Sequence, residues 1–407
     1  MRWMRIFVFV IPMLGVVVYR HYQRSGSEVA AAVLVENSFA PSWSSNEQVV
    51  SSMEERLKQE PGNAKANAML GQAYLQRARE SGDPGYYTKA EILFERALKA
   101  EPRSIEAMLG KASLLMARHN FHEAQDLAMK AVETNPDVVA PYGILTDAFV
   151  ELGKYDEAVR TLEVMVGRKP NLSSYSRVSY IRELMGDTEG AIQAMRMAID
   201  SGAPHAENTA WCMVQLANLY LNNGQIDKAA EQLQLALAHF PDYAHADAGL
   251  ARAAEDRGDL ALAVQHYKRA MDRIPLPEFA IGLAHVYERL GRTAEADAQY
   301  DLVDAIQKLY ESNGVSMDIE MALFNADRGR NLEQTLAVAK AEWLSRKSVR
   351  VADVYAWTLY RSGRFEEADR MMQQALRLGT KDPLFLRHAE AIAHAKRSGT
   401  RGPLNNH

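Results

Sequence analysis

Seven glycines recur along this chain at nearly fixed intervals, and that spacing limits the fold more than any other feature. Gly153, Gly186, Gly224, Gly258, Gly291, Gly329 and Gly363 are separated by 33, 38, 34, 33, 38 and 34 residues. A ladder of alanines runs in parallel at Ala90, Ala124, Ala158, Ala191, Ala229, Ala263, Ala296 and Ala368. Prolines hold an interval of 34 from Pro102 to Pro136 to Pro170, and again from Pro241 to Pro275. A fixed period of this size marks a stack of supersecondary units, none of which can bury its apolar stripe alone.

One unit shows the physics. Between Pro141 and Lys169, Tyr142, Leu145 and Phe149 form an amphipathic stripe and Gly153 ends the helix that carries it. Tyr155-Asp156-Glu157 opens a second helix, continued by Val159, Leu162 and Val166 up to Pro170. Antiparallel helices cross closely only over small side chains. First helices offer Gly71, Ala112, Ser179, Ala217, Ala251, Ala284 and Ala322, and the alanine ladder supplies the second-helix surface. Phe94, Leu162, Met195, Leu233, Tyr267, Tyr300 and Met372 are the right size to fill the space between neighbouring hairpins.

On these residues the chain resembles the tetratricopeptide repeat family. The matching strings are Leu70-Gly71-x-x-Tyr74 with Ala90, Phe94, Ala97 and Pro102; Leu216-Ala217-x-x-Tyr220 with Gly224, Ala229, Ala236 and Pro241; and Gly363-x-Phe365-Glu366-Glu367-Ala368. Ser174 to Ala230 is also similar to a segment met in bacterial multi-repeat members. The resemblance implies an all-α fold, a right-handed α-solenoid of stacked helix-turn-helix hairpins. Its first helices would line a concave groove that binds peptides or proteins.

Departures from the period predict local irregularity. The first unit carries seven extra residues between Tyr74 and Ala90, and the string ESGDPGYY reads as a longer inter-helix loop. The second helix after Ala296 is expected to continue to Tyr310. Glu311-Ser312-Asn313-Gly314 then breaks the pattern, and Thr335 stands where the ladder would place alanine, so a bend or slip is expected there. The solenoid is placed at 49–395, about nine hairpins plus terminal helices with an irregular stretch at 311–347, and residues 396–407 are read as a flexible tail.

The amino terminus differs from everything after it. Ile6 to Tyr19 is an uncharged apolar run of 14 residues between Arg5 and Arg20. With Trp3 and Tyr22 as interfacial anchors it reaches the short end of the roughly 17–25 residues that span a bilayer. Residues 1–27 are therefore read as a membrane anchor and 28–48 as a tether, giving a single-pass protein held through residues 6–19 with its array leaning to the extracytoplasmic side. A cleaved secretory signal, with a secreted or periplasmic product, is the alternative, and a buried helix of the fold is the third reading.

Composition and motif searches exclude most chemistry. The single cysteine, Cys212, cannot form an internal disulfide or a cysteine-rich metal site, and its place in a first helix beside Trp211 reads as a small packed thiol. His119 and His122 straddle a turn without an accompanying HExxH helix and read as solvated turn residues. Phosphate-binding glycine motifs and the GxSxG nucleophile elbow are absent. No catalytic residue, metal site or cofactor is expected.

The concave surface is assigned to Arg177, Tyr180, Trp211, Asn218, Arg252 and His285, with Trp357 and Tyr360 further along. Aromatic and arginine side chains are the types that anchor partners. Some relatives grip a terminal carboxylate with Lys and Asn on successive first helices, but Lys65 has no such partners here. Charge adds direction. Residues 1–27 hold four Arg and no acid, and 343–407 hold 12 Lys/Arg against 6 Asp/Glu, leaving −15 on residues 28–342. The expected partner is a protein or peptide with some basic character. The basic residues of the C-terminal part alternate with acids, so nucleic acid is not expected. The function read from the sequence is a non-catalytic scaffold or adaptor; a regulatory or targeting subunit of a separately encoded enzyme is the alternative.

Overall fold

The computed structural model describes residues 43–399. Over these residues the chain forms twenty α-helices and no strand. Helix α1 (Trp43–Gln59) precedes nine hairpins. The first five are α2 (Ala64–Ser81) with α3 (Gly85–Ala100), α4 (Ile105–Ala117) with α5 (Phe121–Thr134), α6 (Ala140–Glu151) with α7 (Tyr155–Arg168), α8 (Leu172–Leu184) with α9 (Thr188–Asp200), and α10 (Glu207–Asn222) with α11 (Ile226–His239). The remaining four are α12 (Ala244–Asp256) with α13 (Leu260–Arg273), α14 (Pro277–Arg289) with α15 (Thr293–Ser312), α16 (Asp318–Arg328) with α17 (Leu332–Ser345), and α18 (Val349–Arg361) with α19 (Phe365–Ala375). Helix α20 (Pro383–Ser398) closes the stack.

The glycine ladder is a backbone requirement. All seven glycines sit at positive φ, from 66° at Gly329 to 80° at Gly258, where a Cβ would be strained and glycine is not. In the α4–α5 turn His119 takes that conformation at φ 64°, and its ring stacks on Phe121 with centroids 5.4 Å apart.

The small residues mark where large ones lodge. Phe94 is fully buried between two first helices: a Cβ on Gly71 would come within 2.6 Å of its ring, and a Cβ on Gly110 of the next hairpin would overlap it. Leu233 and Tyr267 press in the same way on Gly249 and Gly282, each 2.5 Å from the place a Cβ would occupy. The ladder alanines are all buried. Thr335 replaces one of them by donating its hydroxyl to the Arg330 carbonyl at 3.3 Å. The fold is thus the right-handed α-solenoid that the period implies.

Curvature follows from the packing. Successive first helices pack on one another, α2 on α4, α4 on α6, α6 on α8, α10 on α12, α12 on α14 and α16 on α18, whereas second helices do not pack on second helices to a comparable extent. First helices therefore converge on the inside of the coil. This packing falls away at two steps, α8 to α10 and α14 to α16. They coincide with the two 38-residue intervals. In one the linker 201–206 is lengthened, and in the other α15 grows to 20 residues.

The step from α15 to α16 is also where second and first helix separate. Side chains bridge the gap: Tyr300 and Phe324 ring centroids lie 5.7 Å apart, and the Arg328 guanidinium sits 3.6 Å from the Tyr300 centroid.

Three expectations are changed by the structure. The seven extra residues of the first unit do not lengthen its loop, which is only Gly82–Pro84; they extend α2 and α3 to 18 and 16 residues. Helix α1 begins six residues before the apolar pattern does, because buried Asn46 donates to the Ala73 carbonyl at 3.4 Å and ties its first turns to α2. The membrane-anchored, single-pass localisation is corrected. Among the described residues no helix is long and apolar enough to cross a membrane. The longest, α15, carries Glu295, Asp297, Asp301, Asp304 and Glu311, which a bilayer core would exclude. The apolar run 6–19, on which that expectation rested, lies outside the described residues.

The coil closes on itself along a seam. The first hairpin turn meets the linker after the sixth hairpin: Gly82 lies against Ile274, and Tyr310 donates to the Gly82 carbonyl at 3.3 Å. The second turn meets the next linker, with Arg118 beside Gly314. The third places Leu152 and Gly153 against Lys347, and the fourth places Gly186 against Gly379. Each turn thus docks five hairpins onward. Buried Arg346 locks the seam by pairing with Glu151 at 2.9 Å and Glu342 at 2.7 Å while lying over the Phe121 ring at 4.7 Å. One of the two turn histidines belongs to this seam's edge: His122 Nε2 lies 3.2 Å from the Ser345 carbonyl.

Candidate functional site

Where α8 and α10 part, a cavity of about 230 Å³ opens on the inside of the coil. Helix α8 lines it with Ser176, Tyr180 and Glu183, which share a face at i, i+4 and i+7. Helix α10 contributes Trp211, Gln215, Asn218, Leu219 and Asn222, and α12 contributes Arg252. Met195 of α9 forms the floor. The aromatic walls are unusually open for such large side chains, with Tyr180 at 41% and Trp211 at 40% accessibility.

Four of the expected surface residues, Tyr180, Trp211, Asn218 and Arg252, therefore meet in one place. Arg252 donates to Asn218 Oδ1 at 3.1 Å and to Asn222 Oδ1 at 3.5 Å. Arg177 stands apart: its guanidinium is held by the Asp147 carboxylate at 2.8 and 2.6 Å and by the Ser173 carbonyl at 2.8 Å, stapling α8 to α6. His285 lies two hairpins on, edge to face with Tyr300 at 6.3 Å, and burial lowers its pKa. Trp357 and Tyr360 are corrected to core residues, 5% and 1% accessible, because α20 covers Trp357, and Tyr360 packs against Trp357 and Phe365. Trp357 stacks on His388 at 4.1 Å and donates to Asp327 at 2.7 Å.

Glu183, Gln215 and Asn222 were not singled out from the sequence. The spacing 211, 215, 218, 222 continues the stripe that begins at Trp211, and 176, 180, 183 does the same on α8, so a stripe reading would have found them.

The electrostatics are those of an enclosed space. Burial pushes the Glu183 carboxyl up to about 7, the charge of Asp382 pushes the same way, and a hydrogen bond from Asn222 opposes both. Asp382 comes from the linker before α20, a full coil away in sequence. Burial likewise raises the Tyr180 phenol, aided by Glu151, although much of the ring remains accessible. The water that reaches it is water inside the coil, with protein on most sides. Exposed Arg350 of α18 feels Glu320, Glu151, Tyr180 and Asp382. Cys212, next to Trp211, points into the core, and burial pushes its thiol up to about 12, so it stays protonated at neutral pH. Among the described residues no group of three His, Cys, Asp or Glu is placed to hold a metal.

Family models of the tetratricopeptide repeat match residues 214–276, 277–301 and 355–381. These stretches of the chain are tetratricopeptide repeats. A further part of the repeat array, residues 83–165, matches a model of anaphase-promoting complex, cyclosome, subunit 3. The array is 26% identical over 239 residues to tetratricopeptide repeat protein 34 of Homo sapiens, covering 57% of this chain and 39% of that protein. It is 24% identical over 241 residues to tetratricopeptide repeat protein 21A of Mus musculus, covering 53% and 18%. The match thus spans less than half the length of either relative. Among solved structures, the human IFIT1 dimer with PPP-AAAA aligns with a TM-score of 0.51 at 15% identity, over 81% of this chain and 77% of that one. The APC/C hetero-tetramer Cut9-Hcn1 aligns with a TM-score of 0.46 at 14% identity, over 79% and 55%. At these identities the likeness is one of fold. Tetratricopeptide repeat proteins are generally non-catalytic scaffolds for protein–protein interaction.

Proposed function

We propose that this repeat array is a non-catalytic adaptor that holds an extended segment of a partner protein along the inner, first-helix surface at the α8–α10 cavity. The observation that carries the reading is the convergence of Tyr180, Trp211, Asn218 and Arg252, from three first helices, on one opening with exposed aromatic walls. Large accessible aromatics beside hydrogen-bonding groups are costly to leave in water and valuable when a partner covers them. The match of residues 83–165 to a model named for a subunit of a multiprotein complex agrees with an adaptor role. In this reading the alternative, a targeting subunit of a separately encoded enzyme, differs only in the partner's identity.

Site-specific cross-linking tests the surface. A photoreactive p-benzoylphenylalanine replacing Tyr180 should capture a partner in extract of the native host, whereas the same group replacing Leu235, exposed on the second helix α11, should not. Capture at Leu235 alone would move the site to the outside of the coil and overturn the proposal.

A further inference from the structure

The cavity between α8 and α10 has a chemistry more specific than a general protein surface. Its volume, about 230 Å³, lies below the roughly 300–1,000 Å³ of small-molecule sites and suits one long side chain. Glu183 is half-buried and makes no ion pair with any described residue. The nearest arginine in the lining, Arg252, already directs two donors at the amide oxygens of Asn218 and Asn222, and Asn222 in turn donates to Glu183. Asn222 orients the carboxyl, and with Arg252 engaged by the two amides Glu183 has no counter-ion among the described residues. Asp382, which caps the start of α20 outside the cavity lining, adds a second negative charge felt at Glu183. Two ring systems, Tyr180 and Trp211, stand open beside this carboxyl.

Each component fits the same guest. A carboxyl held away from water without a cation is a buried charge in search of a partner. Open aromatic faces attract cations and pack the methylene stem that carries them. An anionic guest would have to approach Glu183 while Arg252 is already engaged by Asn218 and Asn222 and Arg350 is shared among Glu320, Glu151 and Asp382, which is unfavourable at this depth.

Building on the adaptor reading above, we infer that the cavity receives a single lysine or arginine side chain from the partner's extended segment, its charge set against Glu183 and its stem between Trp211 and Tyr180. The cavity is then the specificity pocket of the inner surface, and the acidic balance of the chain's central part has a local counterpart in it. The raised carboxyl agrees with this use, because an arriving cation restores the ionised form and releases a proton.

The test uses the full chain and an arrayed positional library of nine-residue peptides, in which each position is fixed in turn while the others are randomised. The expected result is one position at which Lys or Arg raises retention about tenfold over Gln. That preference should collapse in Glu183→Gln and weaken in Trp211→Ala, which removes an exposed ring and leaves the core intact. Melting curves of both variants are recorded alongside. Retention of peptides without a cation preference, or with a preference for Asp and Glu, overturns the inference and leaves the adaptor reading standing. A cation preference that survives both substitutions places the pocket elsewhere and also overturns it. Retention of no peptide at all removes the adaptor reading itself, and this inference with it.

Discussion

The backbone amide of Val349 donates to the hydroxyl of Tyr155, 194 residues earlier, at 2.8 Å. Val349 opens α18, and the first amides of a helix have no partner within it. A side chain from the first coil supplies that partner. Beside it the Lys347 amide donates to the Leu152 carbonyl at 3.2 Å, and Arg377 both reaches the Lys347 carbonyl and lies over the Tyr155 ring. The seam is therefore a hydrogen-bonded interface within one chain, and it turns a repeat array into a closed coil.

Removing the acceptor tests the seam directly. Tyr155→Phe leaves the Val349 amide buried and unpaired, at a cost of about 1–3 kcal/mol. Urea denaturation of the full chain should show a lower midpoint, and hydrogen exchange should accelerate at Val349 more than in α10. Unchanged exchange there would show that the bond contributes nothing to closure.

Two glycines separate backbone strain from close approach. Gly258 and Gly153 have φ of 80° and 75°, but a Cβ on Gly258 meets nothing within 4 Å whereas one on Gly153 overlaps the Lys347 carbonyl. Gly258→Ala should cost about 1 kcal/mol, from the left-handed backbone alone. Gly153→Ala should cost about twice that or more, since the seam must also part. Equal melting temperatures for the two variants would argue against a tight seam.

The helix crossings are equally testable. Ala229 is fully buried where α11 meets its partners, so Ala229→Leu forces the hairpins apart and should destabilise the array by about 1–3 kcal/mol. A thermal melt indistinguishable from the parent would mean that the crossing tolerates a large side chain.

The pocket carboxyl gives a pH signature. Glu183 holds its proton up to about pH 7 when folded, through burial and the charge of Asp382, and loses it near 4.5 when unfolded. The folded state therefore binds the extra proton between those values, and stability falls as pH rises from about 4.5 to 7. Glu183→Gln removes this cost. The variant should be more stable than the parent by about 1–2 kcal/mol at pH 8, discounting the full shift for partial solvation, and equal to it at pH 4. A stability difference independent of pH would show that the carboxyl is not held in this way. The same proton links to recognition: retention of Lys- and Arg-bearing peptides should strengthen from pH 6 to pH 8.

Much of the pocket's lining was written in the sequence. Tyr180, Trp211, Asn218 and Arg252 were marked by residue type and by their place on first helices, and the helical spacing extends the same stripes to Glu183, Gln215 and Asn222. Their gathering depends on α8 and α10 standing apart, which a longer interval between Gly186 and Gly224 signals only as an irregularity. Trp357 has the same residue type as Trp211 and, lying six rather than 13 residues before its turn glycine, the same helical phase, yet it is covered by α20. Residue type and helical phase do not say whether another element will lie on top.

What the sequence determined by itself is the hairpin and its stacking. Glycine at a left-handed turn, alanine at a crossing and one large residue between neighbours are local demands, and they repeat because every unit meets the same geometry. Tertiary structure alone decided the seam, the enclosure of the inner surface and the charge that Asp382 lends to Glu183. Those depend on small rotations between hairpins that accumulate over five units before Gly153 meets Lys347 and Gly186 meets Gly379. The contacts that result join backbone carbonyls and single side chains that do not repeat, so no period in the sequence records them.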